Sequence, residues 1–269
     1  MLTASCVLYN PDKKMLAQTL DSLDAAVRVL NTDNAGHLLP PLYMINNADT
    51  EFSDYYDFKQ LSNCRVVARS KHGNVGYGAG HNIAIKEVES KYHLVINPDV
   101  ILHEDSLLNA IQYMDDNPDV ALLSPFSTDP QTGQLQYLCK KFPSIAVLAL
   151  RFIDNTVLNN LFRTILARYE ERQCIMANEL FDAEIVSGCF MLYRTDVLKR
   201  LGGFDERYFL YFEDFDLSIR TGQLGKIVCH PGVRIMHHGG GAGRKGREHF
   251  HLFMRSAKLF FDQYGWRWF

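Results

Sequence analysis

The chain has 269 residues, of which 47% are hydrophobic, and a formal net charge of -3 at pH 7. This length allows one sizeable α/β core with a small appended lobe at most, so we expect a single domain over residues 1–269. The weakly acidic balance provides no overall basic field for holding a polyanion. It therefore argues against nucleic acid as the main partner.

The cysteines and the apolar runs indicate the cellular compartment. The six cysteines are scattered, without a C-x-x-C pair or a zinc-like spacing, which suits reduced thiols in a cytosol. No run approaches the roughly 20 apolar residues of a membrane span, and no signal-peptide pattern opens the chain. We expect a cytoplasmic protein, either soluble or peripheral at the inner face of the cytoplasmic membrane.

Strand-like and helix-like segments alternate through the first half of the chain. The strand-like runs are Leu2–Leu8, Leu42–Ile45, Arg65–Ala68 and His93–Ile96, and the helix-like segments are Leu16–Leu30, Ala79–Val88 and Leu107–Met114. This order predicts an α/β fold with a mostly parallel central sheet and helices on both faces. Such sheets bind ligands at the carboxyl ends of their strands. Polar residues are found at these ends, namely Asn10, Asn46, Asn47, Asn74 and Asn97.

The second half contains a segment without a place in a minimal nucleotide-binding sheet. Residues 138–172 are apolar and studded with basic residues, which predicts an amphipathic helical insertion. This insertion is expected either to dock on an anionic membrane surface or to pack on the catalytic core or a second subunit. A strand-like run over Ile185–Tyr193, a helix over Thr195–Leu201 and a C-terminal helix over 247–262 follow.

Four motifs occur in a fixed order. They are NVGYGAGHN at 74–82, INPD at 96–99, ED at 213–214 and HHGG at 237–240. With the segment 187–220, they resemble glycosyltransferase family 2 enzymes of the GT-A fold, and in particular the rhamnosyltransferases of O-antigen and core-polysaccharide assembly. The resemblance implies an inverting, metal-dependent transferase in cell-surface polysaccharide synthesis. It implies dTDP-β-L-rhamnose as the nucleotide-sugar donor and a saccharide or lipid-linked saccharide as the acceptor.

The INPD and HHGG motifs suggest a metal site. Asp99 follows an apolar strand and matches the second acidic position of the family's D-x-D motif, whereas the first position here is Asn97. One carboxylate can suffice for Mg2+ or Mn2+ if the donor diphosphate supplies further ligands. The resemblance implies that His237 completes this site, with His238 as the substitute. The alternatives are an ordinary N-P-D turn and a structural histidine.

The glycine-rich motif and the asparagines suggest the donor site. Gly76 and Gly80, with Asn74 and Asn82 beside them, allow close backbone approach at a helix start that favours anions. The resemblance implies that Asn46 and Asn47 bind the nucleobase and ribose. The alternatives are helix-start glycines and turn-forming asparagines without a ligand.

Glu213 and Asp214 are the candidate catalytic acids. Asp216 and Arg220 have the i,i+4 spacing of a helical ion pair, which leaves Asp214 free to act as the general base. The aromatic run 208–212 would partly desolvate this carboxylate and raise its proton affinity. The alternative is a pair of acids that only favours the helix dipole.

The loop 239–247 combines glycines with Arg244 and Arg247, a composition that suits either a lid over an anionic donor or a solvated loop. Two other functions stay open. A catalytically silent sugar-nucleotide-binding subunit would account for Asn97 in place of an acid. A nicotinamide-dependent oxidoreductase would use the glycines for a dinucleotide, although they follow the third strand-like run and not the first. The sequence leaves a homo-oligomer open.

Overall fold

The computed structural model describes residues 2–32, 39–153, 161–239 and 246–268. The strands in these ranges are β1 (Leu2–Leu8), β2 (Pro41–Asn46), β3 (Arg65–Arg69), β4 (Tyr92–Ile96), β5 (Val100–Leu102), β6 (Val120–Thr128), β7 (Leu135–Gln136), β8 (Cys139–Lys140), β9 (Phe181–Asp182), β10 (Ile185–Val186), β11 (Phe190–Arg194) and β12 (Lys226–His237). The α-helices are α1 (Lys13–Thr32), α2 (Tyr77–Ile85), α3 (Ser106–Asp116), α4 (Ile145–Ile153), α5 (Arg163–Tyr169), α6 (Arg172–Ala177), α7 (Thr195–Arg200), α8 (Glu213–Thr221) and α9 (Gly246–Tyr264). Short 3-10 helices cover Phe52–Asp54 and Phe58–Gln60.

The central sheet has the strand order β3-β2-β1-β4-β11-β6-β12-β5. The first four strands are parallel to one another, β11 is antiparallel to both of its neighbours, and β12 is parallel to β6. Every residue of β1 and β4 is buried, as expected where helices cover both faces of a sheet. The predicted α/β fold with a mostly parallel sheet is confirmed.

Helices α1 and α3 cover one face of this sheet. Leu16, Leu20, Leu23 and Val27 recur at the three- and four-residue spacing of a helix face, and all four side chains are buried in the main core. Burial of each such side chain contributes roughly 1.5–3 kcal/mol. This core fixes the carboxyl ends of β1, β2 and β4 at one edge, where the predicted site residues begin.

Helix α2 packs on the sheet through its glycines. A Cβ on Gly80 would be 2.9 Å from a Val7 methyl carbon, and a Cβ on Gly78 would be 2.7 Å from the Cβ of Phe204. Gly76 has a φ of 90°, and a Cβ there would collide with the backbone carbonyl of Phe209. The close approach that these glycines allow is therefore to the protein itself.

The predicted insertion 138–172 is attached to the rest of the protein through β8 and through α4. Strand β8 pairs with β10, and the amide of Lys141 donates to the carbonyl of Tyr169 at 2.8 Å. Helix α4 packs against α9, and the amide of Ile145 donates to the carbonyl of Arg267 at 2.8 Å. The packing alternative therefore describes α4, because its apolar residues join the cluster around Phe260.

Three cations of the predicted insertion are engaged within the protein. Lys141 forms ion pairs with Glu171 at 2.6 Å and with Glu184 at 3.4 Å, and Arg151 pairs with Glu170. Lys140 lies partly buried over the ring of Phe215, 5.8 Å from its centroid. These contacts favour the packing alternative for this part of the insertion, and docking of the insertion on a membrane stays a prediction. Over the described residues, no helix is both long and apolar enough to cross a membrane.

Candidate active site

The antiparallel pairing of β4 with β11 brings the INPD and ED motifs together. Ile96 lies opposite Phe190, and the amide of Asn97 donates to the carbonyl of Cys189 at 2.9 Å. One residue earlier, the amide of Gly188 donates to Asp214 Oδ2 at 2.9 Å. The two motifs therefore lie on either side of one short stretch of backbone.

This stretch interrupts the strand that we predicted over Ile185–Tyr193. The run divides into β10 and β11, with Ser187, Gly188 and Cys189 between them. A Cβ on Gly188 would be 3.3 Å from both the Asp214 Cβ and the Tyr77 ring, so a larger residue would push on the catalytic carboxylate. A glycine inside a strand-like run is a known signal of close backbone approach, and it could have identified this residue from the sequence.

Asp99 and His237 are brought together by the antiparallel pairing of β5 with β12. His237 lies opposite Val100, and its Nε2 is 3.5 Å from Asp99 Oδ1. The backbone amide of His238 donates to the carbonyl of Asp99 at 3.0 Å, which fixes the turn that carries the carboxylate. His237 is therefore the better candidate ligand of the two histidines.

The Asp99 and His237 pair fits a divalent cation that has few protein ligands. Two ligand atoms that share one ion at about 2.1 Å each lie roughly 3–4 Å apart, as these two atoms do. No cluster of three or more His, Cys, Asp or Glu side chains suited to a metal occurs within the described ranges. The two side chains are 27% and 14% exposed, so a donor diphosphate can reach them and supply the remaining ligands.

Glu213 and Asp214 are neighbours with different surroundings. Asp214 accepts hydrogen bonds from the amides of Gly188 and Phe215, whereas Glu213 Oε2 is buried and has no hydrogen-bond partner among the described residues. Burial raises the pKa of both carboxyls, and the Asp214 charge raises that of Glu213 further. The amide donors favour the ionised form of Asp214. We therefore assign the proton of the pair to Glu213 and the negative charge to Asp214.

The backbone before these acids is strained. Tyr211 and Phe212 have φ values of 70° and 65°, a left-handed conformation that bulky residues rarely adopt. Such strain costs on the order of 1–3 kcal/mol for each residue, and it tends to persist at functional sites. The turn places Glu213 and Asp214 in the first turn of α8. Packing of Phe212 against Phe253 and Phe260 holds this turn in place.

The i,i+4 argument that separated the acids is confirmed. Asp216 is fully buried and accepts two hydrogen bonds from Arg220, at 2.8 and 2.6 Å. It also accepts from Gln263 at 3.1 Å and from Tyr264 at 2.7 Å, so it joins α8 to α9. Asp216 is thus a structural residue, and Asp214 is the acid that remains for chemistry.

Lys140 is a site residue that the sequence did not reveal. Its ammonium lies over the Phe215 ring, close enough to the Asp214 carboxylate to lower the pKa of Asp214. Burial and the nearby Arg151 cation in turn lower the pKa of Lys140 to about 8. The strand pairing of Lys140 with Ile185 places it there. This cation favours the ionised form of the candidate base.

We expect Lys140→Met to move the acid limb of the kcat profile to higher pH by about one pH unit. Without the ammonium, the pKa of Asp214 rises, so the base becomes protonated, and inactive, at a higher pH than in the wild type. The profile is measured from pH 5 to pH 9. Lys141→Met is the matched control, because Lys141 pairs with Glu171 and Glu184 instead. Superimposable profiles for Lys140→Met and wild type would contradict this role.

Asn47 and Asn74 gather at the carboxyl ends of β1 and β2. The side-chain amide of Asn47 donates to the backbone carbonyl of Gly76 at 2.9 Å, and the backbone amide of Asn47 donates to the backbone carbonyl of Leu8 at 2.8 Å. Asn74 Oδ1 accepts from the amide of Gly76 at 3.1 Å. Asn10 is exposed two residues after β1, with a φ of 48°. These three asparagines border the edge at which ligands of such sheets bind, and their donor contacts remain predictions.

Other residues expected at the donor have structural roles. Both amide hydrogens of Asn82 are used within the protein, by the Phe204 carbonyl at 2.8 Å and by Glu206 at 3.0 Å. Asn46 is fully buried and closes a turn, donating to the Thr50 carbonyl and accepting from the Ala48 amide. The donor-binding assignments of Asn46 and Asn82 stay predictions. Those of Gly76 and Gly80, where an added Cβ would meet protein atoms, stay predictions as well.

Two further candidates have different positions. Asn97 Oδ1 is buried without a hydrogen-bond partner among the described residues, beside the Asp99 turn. Arg247 is exposed in the first turn of α9. Arg244, and with it the predicted lid, lies outside the described residues. The donor-binding assignments of Asn97, Arg244 and Arg247 stay predictions.

Comparisons with known proteins agree with this geometry. The chain is 29% identical over 177 residues to the rhamnosyltransferase WbbL of Escherichia coli, covering 62% of each chain. It is 25% identical over 230 residues to an N-acetylglucosaminyl-diphospho-decaprenol L-rhamnosyltransferase of Mycobacterium tuberculosis, covering 81% of this chain and 73% of that protein. The chain thus spans less than two thirds of the length of WbbL.

Solved structures show the same fold. The crystal structure of GalNAc-T7 with UDP, GalNAc and Mn2+ superposes with a TM-score of 0.63 at 12% identity, over 98% of this chain and 48% of that one. The fold is thus GT-A, as the motifs implied. The family described as "Glycosyltransferase like family 2" matches residues 42–255, which include the INPD, ED and first HHGG residues. The chain therefore belongs to glycosyltransferase family 2.

Proposed function

We propose that this chain is an inverting, metal-dependent glycosyltransferase that moves L-rhamnose from dTDP-β-L-rhamnose onto a lipid-linked saccharide in cell-surface polysaccharide synthesis. One observation carries the proposal: the carbonyl of Cys189 accepts from the amide of Asn97, two residues before Asp99, and the amide of the neighbouring Gly188 donates to Asp214. This proximity supports one displacement that uses Asp99 at the diphosphate and Asp214 as the base. The names of the two rhamnosyltransferases above support the donor sugar, and the name of the mycobacterial protein supports the lipid-linked acceptor.

In the proposed reaction, Asp214 accepts the proton of the acceptor hydroxyl while the hydroxyl oxygen attacks the anomeric carbon of the donor sugar. The bond from this carbon to the donor diphosphate breaks in the same displacement, which inverts the anomeric centre. Asp99 and His237 would hold Mg2+ or Mn2+, and the ion would neutralise charge on the leaving diphosphate. The Gly188 amide orients the base at 2.9 Å. Burial around Glu213 keeps a second negative charge away from the acceptor.

We expect dTDP-rhamnose to stabilise the fold only in the presence of Mg2+ or Mn2+, because the diphosphate and Asp99 share the cation. At a donor concentration of 100 Kd, the stabilisation is about 2.7 kcal/mol. Thermal unfolding is recorded with dTDP-rhamnose, UDP-GlcNAc and GDP-mannose, each with a divalent cation and with excess chelator. The same series tests the donor sugar, because the preferred nucleotide sugar gives the largest rise in Tm.

Asp99→Asn is the test variant for this experiment. It is expected to lose the metal-dependent rise in Tm while keeping its unliganded Tm close to that of the wild type. Asp119→Asn is the matched control, because Asp119 is an exposed carboxylate paired with Lys226. Equal stabilisation of the wild type in excess chelator would count against the metal site. Stabilisation by NAD without metal would point to an oxidoreductase.

A further inference from the structure

An apolar groove of about 300 Å³ lies between helix α4, helix α9 and the segment that follows α9. Leu148, Phe253, Met254, Phe261 and Trp266 are among its lining residues. Lys258 is the one charged residue in the lining formed by the described residues, and it is paired with Asp262. The rim is open to solvent, since Met254 and Trp266 are 50% and 48% exposed. Contiguous exposed apolar surface of this kind marks binding sites in soluble proteins.

The groove is linked to the candidate active site by packed aromatic rings. The Phe253 ring lies 5.2 Å from that of Phe212, and Phe212 directly precedes Glu213. Phe212 in turn contacts Phe215, the neighbour of Asp214 in the chain, at 5.1 Å. A single layer of aromatic rings therefore separates the groove from the base.

Two cations lie on the same aromatic layer. The Lys140 ammonium is 5.8 Å from the centroid of Phe215, and the Arg267 guanidinium is 3.9 Å from that of Phe142. Phe142 packs on Phe260 at 5.3 Å, which places both cations at one aromatic cluster. The same cluster contains Phe253, which lines the groove, so both cations and the groove share one aromatic cluster.

We propose that this groove binds the proximal isoprenoid chain of the lipid-linked acceptor, with the acceptor phosphate groups at Lys140 and Arg267. The inference rests on the proposed function, because an acceptor that joins sugar, phosphate and lipid matches a base, two cations and an apolar groove linked by one aromatic cluster. The volume fits a part of one chain and not a whole polyprenyl tail. A bilayer is the less suitable occupant, because the groove is concave and Lys141 and Arg151 are engaged within the protein.

Tryptophan fluorescence can test this site without turnover. The chain has two tryptophans, and both are near the groove: Trp266 lines it, and the amide of Ala146 in α4 donates to the Trp268 carbonyl at 3.2 Å. The probe is geranylgeranyl diphosphate below its micellar concentration, and inorganic pyrophosphate is the head-group control. We expect saturable change in emission with the first compound and none with the second.

The matched variants are Met254→Glu and Met176→Glu. Both methionines are exposed, at 50% and 66%, so neither substitution buries a charge in the free protein. Met254→Glu places a carboxylate in the groove and should weaken binding of geranylgeranyl diphosphate at least about tenfold, because a ligand would desolvate it. Met176→Glu, on α6, should bind as wild type does. Thermal unfolding checks that both variants are folded.

Three outcomes would overturn the proposal. The first is that wild type shows no saturable response to geranylgeranyl diphosphate, or that Met254→Glu binds it equally well. The second is that anionic vesicles, but not the single-chain probe, bind through Met254, which would assign this face to a bilayer. The third is a concentration-dependent dimer that Met254→Glu dissociates, which would assign it to a second copy. The fluorescence assay contains no nucleotide sugar. A failure to bind dTDP-rhamnose would therefore contradict the proposed function without changing the interpretation of the groove experiment.

Discussion

Replacing Asp214 by asparagine is expected to lower kcat by roughly 10²- to 10⁴-fold and to leave the donor Kd within about twofold of wild type. The amide keeps the shape of the side chain but cannot take the proton of the acceptor hydroxyl. Loss of the base raises the energy of the transition state, in which that proton moves. In the proposed function the donor binds through Asp99 and its neighbours, so we expect its affinity to change little.

The comparison needs both transfer and binding to be measured. Initial rates with dTDP-rhamnose and a lipid-linked acceptor give kcat, and calorimetry with the donor alone gives Kd. Asp119→Asn is the matched control, since it removes an exposed carboxylate that pairs with Lys226 at 2.7 Å. An Asp214→Asn enzyme with near-normal turnover would remove Asp214 from the role of base. A large rise in donor Kd would instead place it in donor binding.

The strands and helices with strong periodicity could be predicted from the sequence. The run Leu2–Leu8 is β1 residue for residue, because seven consecutive apolar or small residues suit a strand buried on both faces. The run Ile185–Tyr193 could not be treated in the same way. It divides at Gly188, where a tertiary contact with Asp214 interrupts the sheet. Contacts between distant segments set such breaks, and local patterns do not report them.

The candidate site shows the same limit. The i,i+4 spacing identified the Asp216–Arg220 pair because both residues lie on one helix. The glycines of α2 were expected to face a ligand, but they face Val7 and the loop around Phe209. Composition alone cannot distinguish close approach to a ligand from close approach to the protein. Lys140 lies in the insertion for which the sequence left membrane docking and core packing open, since its apolar neighbours suit either environment.

The largest expected effect on stability is at Asp216. Asp216→Ala should lower the free energy of unfolding by about 3–5 kcal/mol, because it leaves the Arg220 guanidinium without its carboxylate partner. The carboxylate is fully buried and also accepts from Gln263 and Tyr264, so its removal weakens the junction of α8 with α9. Urea denaturation of the wild type and the variant, followed by circular dichroism, gives the difference.

Asp262→Ala is the control that makes this result specific. Asp262 also forms an i,i+4 ion pair, with Lys258, but both side chains are exposed, at 46% and 71%. Water and ions screen such a pair, so its loss should change the free energy of unfolding by less than about 1 kcal/mol. Burial thus sets the expected difference between two pairs of the same sequence spacing. Equal losses for the two variants would mean that Asp216 is no more than a surface ion pair, and the assignment of structural and catalytic acids in α8 would have to be reversed.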